Sequence, residues 1–407
     1  MKTIAVIGAG VTGVTTAFVL RELGYKVTVF EKQRYPSIVT SYANGGQLSA
    51  SNAEVWNHFG TILKAVTWLL KKDAPLKINF WPNWHKVSWL AEFLLQTKNY
   101  KKNTIQTVKM AIESRKYMQK IVDDAGIKFD KSNCGILHIY KSHREFEHAH
   151  RVNELLALGG LERRRLTENE ILTIEPNLEK KFVGGYYTKT DSTGDIHKFT
   201  SHLARVAMDR GVNFQQSADV KSIKVLGSEV KIKFNHKDFQ DQIETFDMCV
   251  ICAGVASHKF AKMLGDRVNI YPVKGYSITV PLTDFISQKK APNVSLLDDE
   301  AKIVTSRLGK NRFRVAGTAE IVGHNLDILD ARIKPLKNWV ETNFPEVSTK
   351  DAQPWAGLRP MRPNMMPLVS QGKEPNIFYN TGHGHLGWTL ACYTANMLGD
   401  LIIGFET

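Results

Sequence analysis

No apolar run in these 407 residues is long enough to cross a bilayer. Internal repeats and low-complexity tracts are absent, which leaves an ordinary globular sequence, 43% hydrophobic and 23% charged, able to bury a core in two or three domains. Cysteine is scarce: Cys134, Cys249, Cys252 and Cys392. Cys249 and Cys252 spell CxxC, but FDMCVICAG reads as a buried strand, where side chains three apart point to opposite faces, and no second Cys or His pair stands near. They read as core thiols of a reduced chain on the cytoplasmic side of the cell. Acidic residues are in deficit, 40 against 54 Lys and Arg, for a net charge of +14. That balance suits an anionic partner: nucleic acid, an acidic lipid surface or an anionic substrate. An Arg-rich helix, an aromatic RNA-binding motif and zinc-finger spacing are all missing, which sets nucleic acid aside.

What is present begins at once. Thr3 to Ile7 reads as a buried strand, Gly8-Ala9-Gly10-Val11-Thr12-Gly13 follows, Val14 to Leu23 has helical spacing, and Lys26 to Phe30 is a second strand ending in Glu31. This strand, glycine turn, helix and strand is the order of a dinucleotide-binding unit. Gly8 permits the turn, Gly10 lets the backbone approach a pyrophosphate at the helix N-terminus, and Gly13 lets helix and strand lie close. Glu31 stands where a carboxylate takes ribose hydroxyls and disfavours a 2′-phosphate, so the pocket is not of NADP type. A signal peptide is the competing reading of Lys2 and the apolar run. Glycines interrupt that run, no cleavage site follows, and the pattern continues into a strand.

Beyond Glu31, the small, polar, glycine-paired stretch from Ser41 to Ser49 suits a backbone that approaches a ligand, or a plain surface loop. Residues 56–102 hold five of the eight tryptophans, and residues 64–102 hold eight lysines against Asp73 and Glu92. Over 60–72, Ile62, Leu63, Val66, Leu69 and Leu70 form one helical stripe. Such a segment either lies in a membrane interface or packs on its own domain with its lysines in water. Residues 104–124 predict a long helix ending near Gly126. Ser142 and Thr167 begin capping-box helices, and His143, His148 and His150 read as a solvated face rather than a metal site. After Pro176 and Gly184-Gly185, helix His197–Arg210 is followed by strands over 212–216, 219–225, 228–234 and 243–252. Further strands are predicted over 270–281, 302–318 and 376–380, with a helix over 327–343. Gly382, Gly384 and Gly387 repeat the glycine spacing before a last helix. With Thr407 so close, no second strand or acidic residue follows to hold a ribose, so this turn reads as a helix N-terminus aimed at an anionic ligand.

Three pieces, the N-terminal unit, SYANGGQLS, and WAGLRPMRP followed by NTGHGHLGWTLA, together resemble the FAD-dependent D-amino-acid oxidase superfamily of glycine and sarcosine oxidases. Within it, KAVTWLLKKDAPL, YPVKGYSITVP, AGTAEIVG and GLRPMRPNMMP are similar to the small subunit of bacterial D-amino acid dehydrogenases. The likeness runs the full chain. It departs at 362–366, where Arg362, Asn364 and Met365-Met366 replace a neutral residue and an Asp-Gly pair, so the substrate is less defined than the chemistry.

The resemblance implies an α/β fold. It joins a Rossmann-like FAD-binding domain (1–52, 191–270 and 350–407) to an α+β substrate domain with a mixed antiparallel sheet (53–190 and 271–349). It implies FAD held by Gly8, Gly10, Val11, Thr12, Gly13, Glu31 and Lys32 at the adenosine half, with Val220 at the adenine and Ala253 and Gly254 at the pyrophosphate. Ser41, Asn44, Gly46, Gln47 and Leu48 are then expected near the flavin, with Gly384, Leu386, Gly387, Trp388 and Thr389 approaching it from the last helix. The expected activity is oxidative deamination of small D-amino acids by hydride transfer to flavin N5, the cofactor supplying the chemistry. A guanidinium fork suits the substrate carboxylate, Arg359 first and Arg362 second. Lys274 and Tyr276 meet the substrate or flavin, or merely pack, and His383 and His385 lie beside the ring. Electrons are expected to pass to a quinone or another respiratory acceptor, from a protein peripheral on the cytoplasmic side of the inner membrane. An oxygen-dependent glycine or sarcosine oxidase, and a flavin-binding membrane-associated protein without turnover, are the rival readings.

Overall fold

Strand Thr3–Ile7 lies at the centre of a six-stranded sheet, flanked by Met248–Ile251 on one side and Lys26–Phe30 on the other, all parallel. Asn213–Gln215 and Ile377–Thr381 continue the parallel array outward, and Leu368–Gln371 closes one edge antiparallel. The computed structural model describes residues 1–58, 60, 76–79, 81, 83–179 and 182–406. The central strands read as unbroken apolar runs because both of their faces are covered. Helices Val11–Glu22, Ile196–Asp209 and Gly387–Glu406 pack on one face through Val14, Phe18, Phe199, Leu203, Ala391 and Ala395. A three-stranded antiparallel sheet, Asp219–Leu226, Glu229–Asn235 and Gln242–Phe246, covers the other. Cys252 belongs to the helical side and Cys249 to the sheet side, as alternation requires. Both thiols are buried, and burial pushes Cys252 up to about 12.

The predicted strand 243–252 is two strands in two sheets. Asp247 divides them: its carboxylate accepts from Thr3 N at 2.6 Å and Thr3 Oγ1 at 2.7 Å. Its own N–H donates to Thr3 O at 3.1 Å. Residues before it pair antiparallel, and residues after it join the parallel array.

The second sheet has nine strands in the order Gln353–Met361, Tyr271–Pro281, Arg312–Ile321, Ile303–Leu308, Ser295–Asp298, Ile136–Tyr140, Gly184–Thr188 and Arg164–Leu166, with Leu76–Ile78 alongside Arg312–Ile321. It is antiparallel except at Ser295–Asp298 beside Ile136–Tyr140 and at Leu76–Ile78. Strand Gln353–Met361, expected within the FAD-binding segment 350–407, pairs along Tyr271–Pro281 in this sheet. Helix Asp330–Asn343 covers one face through Ile333, Leu336, Trp339 and Val340.

The long helix spans Tyr100–Ala125 and stops at Gly126, whose φ of +62° costs a glycine little. Ser142 and Thr167 cap their helices, Thr167 with a full box to Glu170. His150 Nδ1 lies 3.2 Å from the Tyr186 hydroxyl. The stripe over 60–72, with Trp68 and Lys64, Lys71 and Lys72, lies outside the described residues. Helix Trp84–Leu95 packs its inner face on the nine-stranded sheet: Trp89 is buried and its Nε1 donates to Met361 O at 2.8 Å. Lys86, expected in water, is buried instead, its ammonium donating to the carbonyls of Trp81, at 2.6 Å, and Asn79. Trp81, Trp84 and Leu95 are exposed on the outside. Among the described residues no helix is long and apolar enough to cross a membrane.

Candidate active site

A cavity of about 1030 Å³ runs between the two sheets and takes its walls from both. Its floor is the first glycine turn. Gly8 has φ +104°, and a Cβ on Gly13 would stand 1.8 Å from Gly8 O, so helix and strand touch there only because both residues are glycine. Gly13 thus shapes the turn without reaching the cavity. Gly8, Gly10, Val11 and Thr12 do line it. Helix Val11–Glu22 opens on the cavity with no side-chain cap at Gly10, an N-terminus suited to phosphate. Val11 N donates to Ser41 Oγ at 3.0 Å, which ties the Ser41 segment to this turn.

Glu31 lines the same arm. Its Oε2 accepts from Ala9 N at 2.7 Å and its Oε1 from Gln33 N at 2.8 Å, while burial raises the carboxyl. Lys32, Val220, Ala253 and Gly254 complete the arm. Asp219, not singled out from sequence, joins them and pairs with Lys32 at 3.5 Å. Its place directly before Val220 was the available signal.

The middle of the cavity is walled by Ser41, Asn44, Gly46 and Gln47, and opposite them by Gly384, Leu386, Gly387, Trp388 and Thr389. Asn44 Oδ1 accepts from Gly46 N at 3.0 Å, and Gln47 Nε2 donates to Ser295 Oγ at 2.8 Å. Leu48 does not reach the cavity; it is buried in the core under the helices. Several buried polar atoms on these walls have no protein partner: Gln47 Oε1, Thr318 Oγ1, Asn380 Oδ1, His385 Nδ1 and Trp388 Nε1. Unpaired buried groups are uncommon in a folded protein, and their collection on one cavity fits a large polar ligand.

The far wall belongs to the nine-stranded sheet. Arg359 reaches the cavity, its guanidinium lying over Gly275, where a Cβ would come within 2.4 Å of it. Arg359 Nη1 donates to Thr318 O at 3.1 Å, and its Cζ is 5.9 Å from the Trp56 ring. Among the described residues no carboxylate pairs with it, and burial alone pulls the group down to about 10. Thr318 presents that carbonyl from a backbone φ of +60°, which a β-branched residue rarely adopts and which no sequence pattern announces. The Trp56 ring stacks on His385 at 4.6 Å.

Tyr276 and His383 also line the cavity. The Tyr276 hydroxyl, however, donates away from it to Glu320 Oε2 at 2.8 Å. His383 Nε2 lies 2.9 Å from Thr394 Oγ1, and burial, then Arg362, pushes its ring down to about 3. The structure brings neither Lys274 nor Arg362 to the cavity. Lys274 is buried, pairs with Glu320 at 3.3 Å and donates to Asn325 Oδ1 at 3.1 Å. Lys274 and Tyr276 converge on the same carboxylate, the Lys274 ammonium lying 5.0 Å from the Tyr276 ring. Arg362 turns to the carbonyls of Met366 and Pro367 at 3.1 and 3.2 Å.

The nucleotide turn, the glycine-lined middle and the unpaired guanidinium are a lining that fits FAD. The model for the FAD dependent oxidoreductases matches residues 3–401. The chain is 53% identical over 405 residues to D-amino acid dehydrogenase 3 of Mesorhizobium japonicum, covering 99% of this chain and 97% of that protein. It is 38% identical to a D-amino acid dehydrogenase of Paramagnetospirillum magneticum, covering 98% and 95%. Among solved structures, glycine oxidase from Geobacillus kaustophilus superposes with a TM-score of 0.76 at 18% identity, covering 100% of this chain and 96% of that one. Glycine oxidase from Bacillus cereus gives 0.75 at 20%, covering 99% and 95%. The chain belongs to the FAD-dependent oxidoreductase family and, within it, to the group of the D-amino acid dehydrogenases. The expected fold, a parallel nucleotide sheet joined to a largely antiparallel one, is the one these structures share.

Proposed function

We propose that this chain deaminates small D-amino acids to 2-oxo acids and ammonia with FAD and passes the electrons to a quinone or other respiratory acceptor. The observation that carries the reading is Arg359. A guanidinium enclosed at a ligand cavity without a carboxylate partner is costly to keep unless a ligand supplies one, and an amino acid does. Bound FAD would supply a hydride acceptor at N5. Residues 1–52, 191–270 and 350–407, apart from strand Gln353–Met361, are taken as the cofactor domain, with that strand and residues 53–190 and 271–349 as the substrate domain.

The chain's own residues do the rest. Gly8, Gly10, Val11 and Thr12 receive the pyrophosphate, Glu31 the ribose and Val220 the adenine. Ser41, Asn44, Gly46 and Gln47 hold the flavin against Gly384 and the residues from Leu386 to Thr389. Arg359 would bind the substrate carboxylate and orient the amino acid in the cavity. His383 and His385 are both held near 3 by burial, so neither takes the ammonium proton at neutral pH. The amine therefore reacts in its neutral form. Exposed Trp81, Trp84 and Leu95 give the protein a face for peripheral contact with the inner membrane, near a lipophilic acceptor.

Anaerobic bleaching of the flavin with a panel of D- and L-amino acids and glycine tests the reading. Bleaching by D-amino acids, with reoxidation by a quinone analogue much faster than by oxygen, is the expected result. Bleaching by glycine or sarcosine with rapid oxygen turnover would make the protein an oxidase, and no bleaching at all would end the deamination reading.

A further inference from the structure

Among the charged residues on the cavity wall that have no task in the scheme above are Glu54, Asp299 and Lys302. Asp299 is fully engaged. Its Oδ2 accepts from the Tyr140 hydroxyl at 2.7 Å and lies 3.2 Å from His138 Nδ1, and its Oδ1 takes Lys302 Nζ at 3.3 Å. Glu54 is not. The Tyr100 hydroxyl donates to Oε1 at 2.5 Å, and among the described residues no other side chain or backbone group donates to this carboxylate. Lys302 has Asp299 as its one partner among the described residues, which leaves two of its three N–H protons unspent. Its side chain keeps 48% of its surface open while lining the cavity.

Glu54 and Lys302 act on each other: the ammonium draws the carboxyl down against the rise that burial causes, and the carboxylate helps hold the ammonium charged. Yet they form no ion pair within 4.0 Å. An acceptor and a donor therefore face one cavity across a gap too wide for direct contact. A second ammonium placed there would meet Lys302, and a second carboxylate would meet Glu54, so either charge is opposed from one side. A neutral group that both donates and accepts satisfies the two at once, and a hydroxyl or a carboxamide does so.

We propose that Glu54 and Lys302 form a side-chain subsite that selects, among D-amino acids, those whose side chain ends in a hydroxyl or a carboxamide. The assignment rests on the amino acid deamination proposed above and names which substrates that site prefers.

The test uses the flavin-loaded protein and near-isosteric pairs of rising reach: D-threonine against D-valine, D-asparagine against D-leucine, and D-glutamine against D-methionine. Anaerobic flavin reduction gives kcat/KM for each. At least one pair favours the polar member by about tenfold or more, the range expected when a hydrogen-bonding site rejects an analogue that cannot bond. Lys302→Met and Glu54→Gln each bring that ratio toward one, and an effect on packing alone would lower both members of a pair together. A ratio near one for all three pairs in the unsubstituted protein overturns the subsite, and so does a ratio that survives both substitutions. D-valine, D-leucine and D-methionine each bleaching the flavin as well as their polar partners do would sink this assignment and leave deamination standing. Failure of every D-amino acid to bleach it would remove both.

Discussion

His383 and His385 differ from every other histidine in the chain by lying on the candidate cavity with their rings held near 3, and the cause is burial before any charge. His383 is 3% exposed and has Arg362 as a second reason to stay neutral. The sign of the linkage follows. Below the ordinary value of 6.5 the unfolded chain takes up a proton that the folded His383 refuses, so stability is present in full above that pH and is lost as pH falls below it. One such histidine contributes a slope of up to about 1.4 kcal/mol per pH unit. Urea unfolding of the flavin-loaded protein at steps between neutral and mildly acid pH checks this. His383→Asn is expected to shift the whole curve and also to flatten its acid limb; an unchanged limb would mean that the ring protonates in the fold. The same burial explains why these residues could be placed beside the ring from GHGHLG while their inability to act as an acid–base pair could not be read there. A histidine in a motif looks like an acid–base group until its surroundings show that it cannot titrate.

Where two strands carry the site, register decides which side chains meet, and register is only partly written in composition. Val273 pairs with Arg359 and Gly275 with Gly357, so the guanidinium crosses to lie over the Cα of Gly275. The GLRP motif marked Arg359, because a guanidinium in a family-like run has a visible residue type. The direction of Lys274 was not visible. It depends on the partners its ammonium finds away from the cavity, Glu320, Asn325 and the Asp327 carbonyl. The glycine turn at Gly8–Gly13 was legible for the opposite reason: a backbone contact that excludes every Cβ can be made by one residue type. Asp247 splits a predicted strand because a single carboxylate bound to Thr3 outweighs an unbroken alternation. Gly275→Ala tests the register argument directly. Its Cβ would come within 2.4 Å of the Arg359 guanidinium, the movable end of a long side chain, so the arginine shifts and the strands stay paired. KM for D-alanine is expected to rise about tenfold or more, from a lost charge-assisted bond, with little change in melting temperature. An unchanged KM would place the carboxylate elsewhere.

Charge and apolar surface together define how the whole molecule meets its surroundings. The chain carries +14, and Trp84, 82% exposed, stands with Leu95 on the outer side of a helix whose inner side is locked by Trp89, with Trp81, 78% exposed, just before it. Apolar side chains exposed beside exposed lysines, Lys98, Lys101 and Lys102, suit a layer that is apolar within and anionic at its surface. Packing on its own domain holds for the inner face of the helix, and contact with a membrane is what we propose for the outer one. Lys86 shows why sequence could not divide them: counted as a surface charge, it is buried against two carbonyls. Trp84→Ser with Leu95→Ser removes outer-face contacts without touching the packed side, so stability should change by less than about 1 kcal/mol. Sedimentation with vesicles of mixed anionic and neutral phospholipid is expected to fall severalfold in the double variant. It should also weaken with rising salt in the unsubstituted protein, because a net cation is drawn to the surface through a screened field. D-alanine, a zwitterion without net charge, feels little of that field, so flavin reduction by it should hold steady over the same salt range. Vesicle binding that ignores both the substitutions and the salt would assign the contact to another face of the protein.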